Sequence, residues 1–170
     1  MSEPIIVGID PGKRGAAVAI RGGKNCASTM LVFNGKEFDV GHLSGWIKDI
    51  DLKDKINGGP GIRLVVVERQ STRPGQGVVS SFKIGQNYGE LRGIVATLGF
   101  PMLTPTPNQW IKRMVSTSKR DKKANIAACR RLMPTLQLTP EPKRTPQDGL
   151  ADAGLIALYG EQWLKAQDAK

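Results

Sequence analysis

Four carboxylates, Asp10, Glu68, Asp148 and Asp152, stand in local sequences that turn each of them out of regular structure. Asp10 ends the apolar run 4–10 and is followed at once by Pro11 and Gly12, which stop a strand before the run 15–21 returns as a second one. Glu68 ends the β-branched run 63–67, of the kind buried inside a sheet, and precedes the polar segment 69–75. Strand ends are where sites are commonly built. Asp148 and Asp152 are four apart near the start of a helical pattern that continues through Leu155, Tyr159 and Trp163, so both acids share its apolar face. A buried carboxylate is costly unless it is paired or coordinates a metal, and hard oxygen ligands suit Mg²⁺, with Mn²⁺ able to substitute.

The elements that must position these acids follow from the hydrophobic pattern. Strands are predicted at 4–10, 15–21 and 27–33, a helix at 39–50, a Gly- and Asp-rich loop at 51–61, and a strand at 62–68. A long helix is predicted over 78–98, with Phe82, Gly85, Gly89, Gly93 and Ala96 spaced to pack closely on the sheet. A short strand follows at 100–103, then helices at 108–115 and 122–133, a Pro-rich connection, and a last helix running to about 165. Three antiparallel strands followed by alternating strands and helices make a mixed α/β fold, and 170 residues with 39 % apolar content suffice for one domain over 1–170.

Charge is the second informative property. The net charge is +10, and it is unevenly spread. Between 107 and 133 the bases are Lys112, Arg113, Lys119, Arg120, Lys122, Lys123, Arg130 and Arg131 against the single acid Asp121. Cations beside an acidic metal cluster are what a phosphodiester substrate requires. Cys26 and Cys129 are isolated and read as reduced thiols, there is no zinc pattern, and neither an export signal nor a membrane-length apolar run is present, so a cytoplasmic protein without membrane contact is expected.

In order along the chain, Gly-Ile-Asp-Pro-Gly at 8–12, Val-Val-Glu at 66–68, Lys-Ile-Gly-Gln-Asn-Tyr-Gly at 83–89, Thr-Pro-Asn-Gln-Trp-Ile-Lys at 106–112 and Asp-Gly-Leu-Ala-Asp-Ala at 148–153 resemble the RuvC family of Holliday junction resolvases. Pro-Gly-Gln-Gly-Val at 74–78, Ser81-Phe82 and the four-residue spacing of the last acids are more similar to its phage, poxvirus and chloroplast branch. The resemblance implies a ribonuclease-H-like fold, a mixed five-stranded sheet flanked by helices. It also implies a Mg²⁺-dependent crossover junction endodeoxyribonuclease acting in DNA recombination and repair as a homodimer, and a phage-encoded protein working in a bacterial host would fit that branch.

Carried over by the resemblance, Asp10, Glu68, Asp148 and Asp152 hold two Mg²⁺ ions, and Lys123 assists at the phosphate. Lys112, Lys119, Arg120, Lys122 and Lys123, with Arg73, Gln76, Ser80, Ser81, Phe82 and Tyr88, would contact branched DNA. Three of the acids also have an ordinary reading, Asp10 as a turn residue, Glu68 as a surface partner of Arg69 or Arg73 and Asp148 as a first-turn complement to the helix dipole, which leaves Asp152 hard to explain. One metal centre accounts for all of them together. Rival functions are a nuclease for other branched DNA or RNA:DNA hybrids, and a non-catalytic junction-binding protein.

Overall fold

All six residues of strand β1 (Ile5–Asp10) are buried, because the strand lies at the middle of a sheet covered on both faces. The computed structural model describes residues 2–115 and 121–169. The sheet has the order β3-β2-β1-β6-β7, where β2 is Ala16–Arg21, β3 Lys24–Met30, β6 Ile62–Val67 and β7 Met102–Leu103. β1, β2 and β3 pair antiparallel, whereas β6 runs parallel to β1 and β7 parallel to β6. This is the mixed five-stranded sheet anticipated from the sequence.

Alternation of side chains along the strands divides the core in two. Ile6, Val18, Ile20, Leu64 and Val66 face α3 (Pro107–Met114), α4 (Lys122–Leu132) and α5 (Asp148–Asp168). Val7, Ile9, Ala17, Val65 and Val67 face α1 (Val40–Ile56) and the C-terminal half of α2 (Val78–Thr97). Helix α5 is buried from Gly149 to Leu158. It can lie so close because β1 presents Gly8: a Cβ there would stand 2.3 Å from the Ala153 carbonyl oxygen and 2.4 Å from the Ala157 nitrogen. Among the described residues no helix is long and apolar enough to cross a membrane.

Three expectations are corrected. α1 runs six residues past 50 into the predicted loop, supported by the i,i+4 ion pairs Asp49–Lys53 and Asp51–Lys55. β3 begins and ends three residues earlier than 27–33, as an edge strand with alternating exposure, and a small hairpin of β4 (Phe33–Asn34) and β5 (Glu37–Phe38) follows it. The glycines of α2 do not pack on the sheet. α2 buries Leu91, Ile94 and Val95, and nothing lies within 4 Å of a Cβ placed at Gly85, Gly89 or Gly93. Position 93 is two residues from both 91 and 95, roughly 200° around the helix from each, so the glycine stripe faces open space.

Candidate active site

Asp10 and Glu68 are brought together by register. Ile9 pairs with Val67 across the parallel β1–β6 ladder, and the Glu68 N–H donates to the Ile9 carbonyl at 3.1 Å, so the two acids occupy neighbouring strand ends. Each continues the even-numbered set that faces α5, after Ile6 and Gly8 on β1 and after Leu64 and Val66 on β6. Both are buried, Asp10 at 8 % exposure and Glu68 at 1 %. The Gly12 N–H donates to Asp10 Oδ1 at 3.2 Å, which makes the turn after β1 a support for the carboxylate as well as a strand stop.

The first turn of α5 reaches the same end of the sheet. A Cβ on Gly149 would lie 2.0 Å from the Arg14 carbonyl oxygen, so the helix start is pressed onto the β1–β2 turn. Asp152, 5 % exposed, projects from this segment and accepts a hydrogen bond from Asn125 Nδ2 of α4 at 2.7 Å. Asp148 is the first residue of α5, with Gln147 as its N-cap, so it complements the helix dipole as well as facing the site. It forms an ion pair with Lys122 Nζ. Burial raises its pKa, but the Lys122 ammonium and, more weakly, Arg14 outweigh that, and the carboxyl is held below its ordinary value.

Glu68 is held from two sides. Trp110 Nε1 donates to Oε2 at 2.8 Å and Gln70 Nε2 to Oε1 at 3.0 Å. Trp110 is fixed one turn into α3, which starts on Pro107 behind a Thr106 cap whose N–H donates to Gln109 Oε1 at 2.7 Å. Sequence reasoning missed both Trp110 and Asn125 as partners of the acids. Trp110 lay inside the 106–112 motif and Asn125 in the helix predicted over 122–133, but no periodicity marks a contact between elements so far apart in the chain.

The four acids thus converge on one end of the sheet without closing into a ligand cluster. Among the described residues no group of three or more His, Cys, Asp or Glu side chains stands close enough to hold a metal ion, and each acid is engaged by its own neighbours instead. The chemistry of the donor set still fits a hard divalent cation. The acids offer oxygen, and the nearest soft donor is withdrawn: burial and then the charge of Asp152 push the Cys129 thiol up to about 12, so it stays protonated at neutral pH. His42, the only histidine, bonds Thr29 Oγ1 on the far face and takes no part.

A trough runs past Glu68. One cavity of about 460 Å³ is lined by Glu68, Arg69, Gln70, Arg73 and Gln76. It shares Gln70 and Ile84 with a second of about 330 Å³, lined by Lys13, Lys36, Ser80 and Lys83. It shares Arg69, Arg73 and Pro107 with a third of about 380 Å³ reaching Asn108 and Ile111. Of the residues expected to contact DNA, Arg73, Gln76 and Ser80 line this trough, and Lys13, Lys36, Arg69 and Lys83 are bases that sequence reasoning left out. Lys13 follows the β1 acid by three positions and Arg69 directly follows Glu68, which is the signal that would have found them.

Other assignments distribute differently. Lys122, rather than Lys123, meets an acid of the site; the Lys123 backbone N–H donates to the Asp121 cap at 2.9 Å and its side chain is exposed. Lys112 is exposed on α3, Ser81 is half-buried, Phe82 is 70 % exposed on α2, and Tyr88 is half-buried beneath the Arg92 guanidinium, 5.7 Å from the ring centroid. Lys119 and Arg120 lie outside the described residues.

Known structures share this architecture. Thermus thermophilus RuvC in complex with a Holliday junction substrate superposes with a TM-score of 0.68 at 18 % identity over 96 % of each chain. A second Thermus thermophilus RuvC structure gives 0.63 at 19 % identity, again over 96 % of each. The yeast mitochondrial Holliday junction resolvase gives 0.56 at 16 % identity, covering 94 % of this chain and 78 % of that one. The chain therefore has the RuvC-like form of the ribonuclease-H-like fold. No protein-family model and no curated protein matches its sequence.

Proposed function

We propose that this chain is a structure-selective DNA endonuclease that resolves four-way junctions by paired, symmetric, metal-dependent nicks. The observation that supports this most is the burial of Asp10 and Glu68 side by side at two parallel strand ends, with the acids of α5 brought to the same place, in a fold shared with junction resolvases. Asp10, Glu68, Asp152 and Asp148 are the residues that would hold Mg²⁺. Bound there, two divalent ions would supply a water activated for in-line attack and would stabilise the leaving 3′ oxygen.

The protein's own contribution is placement. Burial puts the acids in a region of low dielectric, where each electrostatic contact counts for more than in water. Lys122 neutralises the rim acid Asp148, and the trough past Glu68 holds the phosphodiester backbone against that centre through Arg69 and Arg73. Incubation with a mobile four-way junction, a Y-fork, a flap and an RNA:DNA hybrid, with Mg²⁺ and with chelator, tests the reading. Symmetric nicks at the junction alone support it. Equal cutting of all four substrates, or cutting in chelator, would overturn it.

Arg69→Ala with Arg73→Ala should weaken junction binding and flatten its salt dependence. Each lost phosphate contact removes about 0.9 from the slope of log K against log salt, so the pair should lower it by up to roughly 2. Fluorescence anisotropy between 50 and 200 mM salt, concentrations chosen for the titration, reads this; an unchanged slope would remove the trough from the DNA path.

Two matched cuts call for a two-fold dimer. We assign that role to the open face of α2, where Val78, Val79 and Phe82 are exposed beside the glycine stripe. Val79→Asp and Phe82→Asp should each weaken self-association roughly 30-fold or more, the loss typical of an interface hot spot. Sedimentation equilibrium measures it. A wild-type chain that stays monomeric at micromolar concentration would sink the assignment.

A further inference from the structure

We propose that Trp110 and Asn125 are positioning residues, two neutral N–H donors that hold the Glu68 and Asp152 carboxyl groups oriented for cation binding. The inference rests on the metal-dependent reading above and goes beyond it in naming groups that touch neither cation nor DNA. Trp110 and Asn125 are both fully buried, on α3 and α4, and each gives one short hydrogen bond to one acid: indole Nε1 to Glu68 Oε2 at 2.8 Å, amide Nδ2 to Asp152 Oδ1 at 2.7 Å. The two helices lie on the same face of the sheet as Asp10, so the pair braces the acidic end from one side.

The amide of Asn125 shows that packing alone does not account for it. Its Oδ1 is buried without any hydrogen-bond partner, so this asparagine satisfies only the half of its amide that faces the acid. A leucine would fill similar volume and strand no oxygen, and buried polar atoms left unpaired are unfavourable. The bond to Asp152 also fixes which way the amide points, since the opposite rotamer would set a carbonyl oxygen against a carboxylate. Neutrality is the second part of the argument. A lysine or arginine would hold a carboxylate equally well but cancel the charge that attracts a cation, whereas an indole or amide N–H orients it and leaves the charge in place.

The test uses the full chain and Mn²⁺ as probe. Wild type, Trp110→Phe and Asn125→Leu are compared for Mn²⁺ affinity by calorimetry, for junction affinity by anisotropy in chelator, for single-turnover cleavage and for Tm. Both variants should bind Mn²⁺ some 10- to 100-fold more weakly, the range typical of partners that orient metal ligands, and cleave correspondingly slower with junction affinity unchanged. Asn125→Leu removes the stranded Oδ1 but also takes a donor from Asp152, so Tm serves to fix a temperature at which every variant is folded, and the affinities are compared there. Wild-type Mn²⁺ affinity in folded Asn125→Leu overturns the inference. If Trp110→Phe does not fold, Asn125→Leu decides alone. A wild type that neither binds Mn²⁺ nor cuts would overturn the metal reading itself, and the positioning role with it.

Discussion

Asp10→Asn should leave the chain folded and able to bind a four-way junction while reducing cleavage by roughly a thousandfold or more, a larger loss than the 10- to 100-fold expected for residues that only orient a ligand. The substitution keeps the volume of the side chain and keeps an Oδ1 to accept the Gly12 N–H. What it removes is one negative charge from a buried position beside Glu68, so Tm should hold or rise as repulsion between neighbouring carboxylates is relieved. Anisotropy in chelator, single-turnover gels in Mg²⁺ and a thermal melt separate the three quantities. Substantial cleavage by the variant at ordinary Mg²⁺ would disprove the role given to Asp10.

Gly8→Ala should be strongly destabilising. The added methyl would meet backbone atoms of α5 on one side, the Ala153 carbonyl oxygen at 2.3 Å and the Ala157 nitrogen and Cα at 2.4 and 2.8 Å, and none of these belongs to a flexible side chain that could turn aside. Overpacking of a core typically costs about 1–3 kcal/mol and occasionally more, and this case belongs at or beyond the upper end. A loss of about 3 kcal/mol corresponds to a fall in Tm of roughly 6–12 °C for a chain of this size. Because the helix can yield only by moving off β1, Asp152 moves with it, and cleavage should fall even at temperatures where the variant is folded. Gly45→Ala is the control. A Cβ there meets nothing within 4 Å, and replacing an exposed helical glycine should stabilise α1 by up to about 1 kcal/mol. Equal melting of the two variants would mean that α5 and β1 are not in the contact described.

The parts of this site that were legible in the sequence are those fixed by local chemistry. Asp10 and Glu68 announced themselves because a β-branched run ended on an acid and a turn signal followed. The acids of α5 were marked by sharing a helical face with apolar residues, and the helix begins at Asp148 as that reading required. What stayed hidden depends on contacts between distant elements. Nothing about Trp110 or Asn125 in their own helices says that an indole will meet Glu68 or an amide Asp152. The glycines of α2 were misread for a related reason: small residues permit close packing, but which side of a helix packs is decided by the larger apolar set, here Leu91, Ile94 and Val95. The length of α1 was underestimated because Asp and Lys were read as loop formers, when their spacing of four makes them mutual supports on one helix face.

The way α5 is seated against Gly8 has a consequence for how the protein comes into being. Asp10 leaves the ribosome about 140 positions ahead of the acids of α5, and at roughly 5–20 residues per second that is an interval on the order of ten seconds. Throughout it β1, apolar at nearly every position, has nothing to lie against on the side that α5 will cover. The nascent chain therefore carries an uncovered apolar strand while the acidic end of the sheet is still incomplete. Burial of β1 and completion of the acidic end of the sheet arrive together, in the single event of α5 docking.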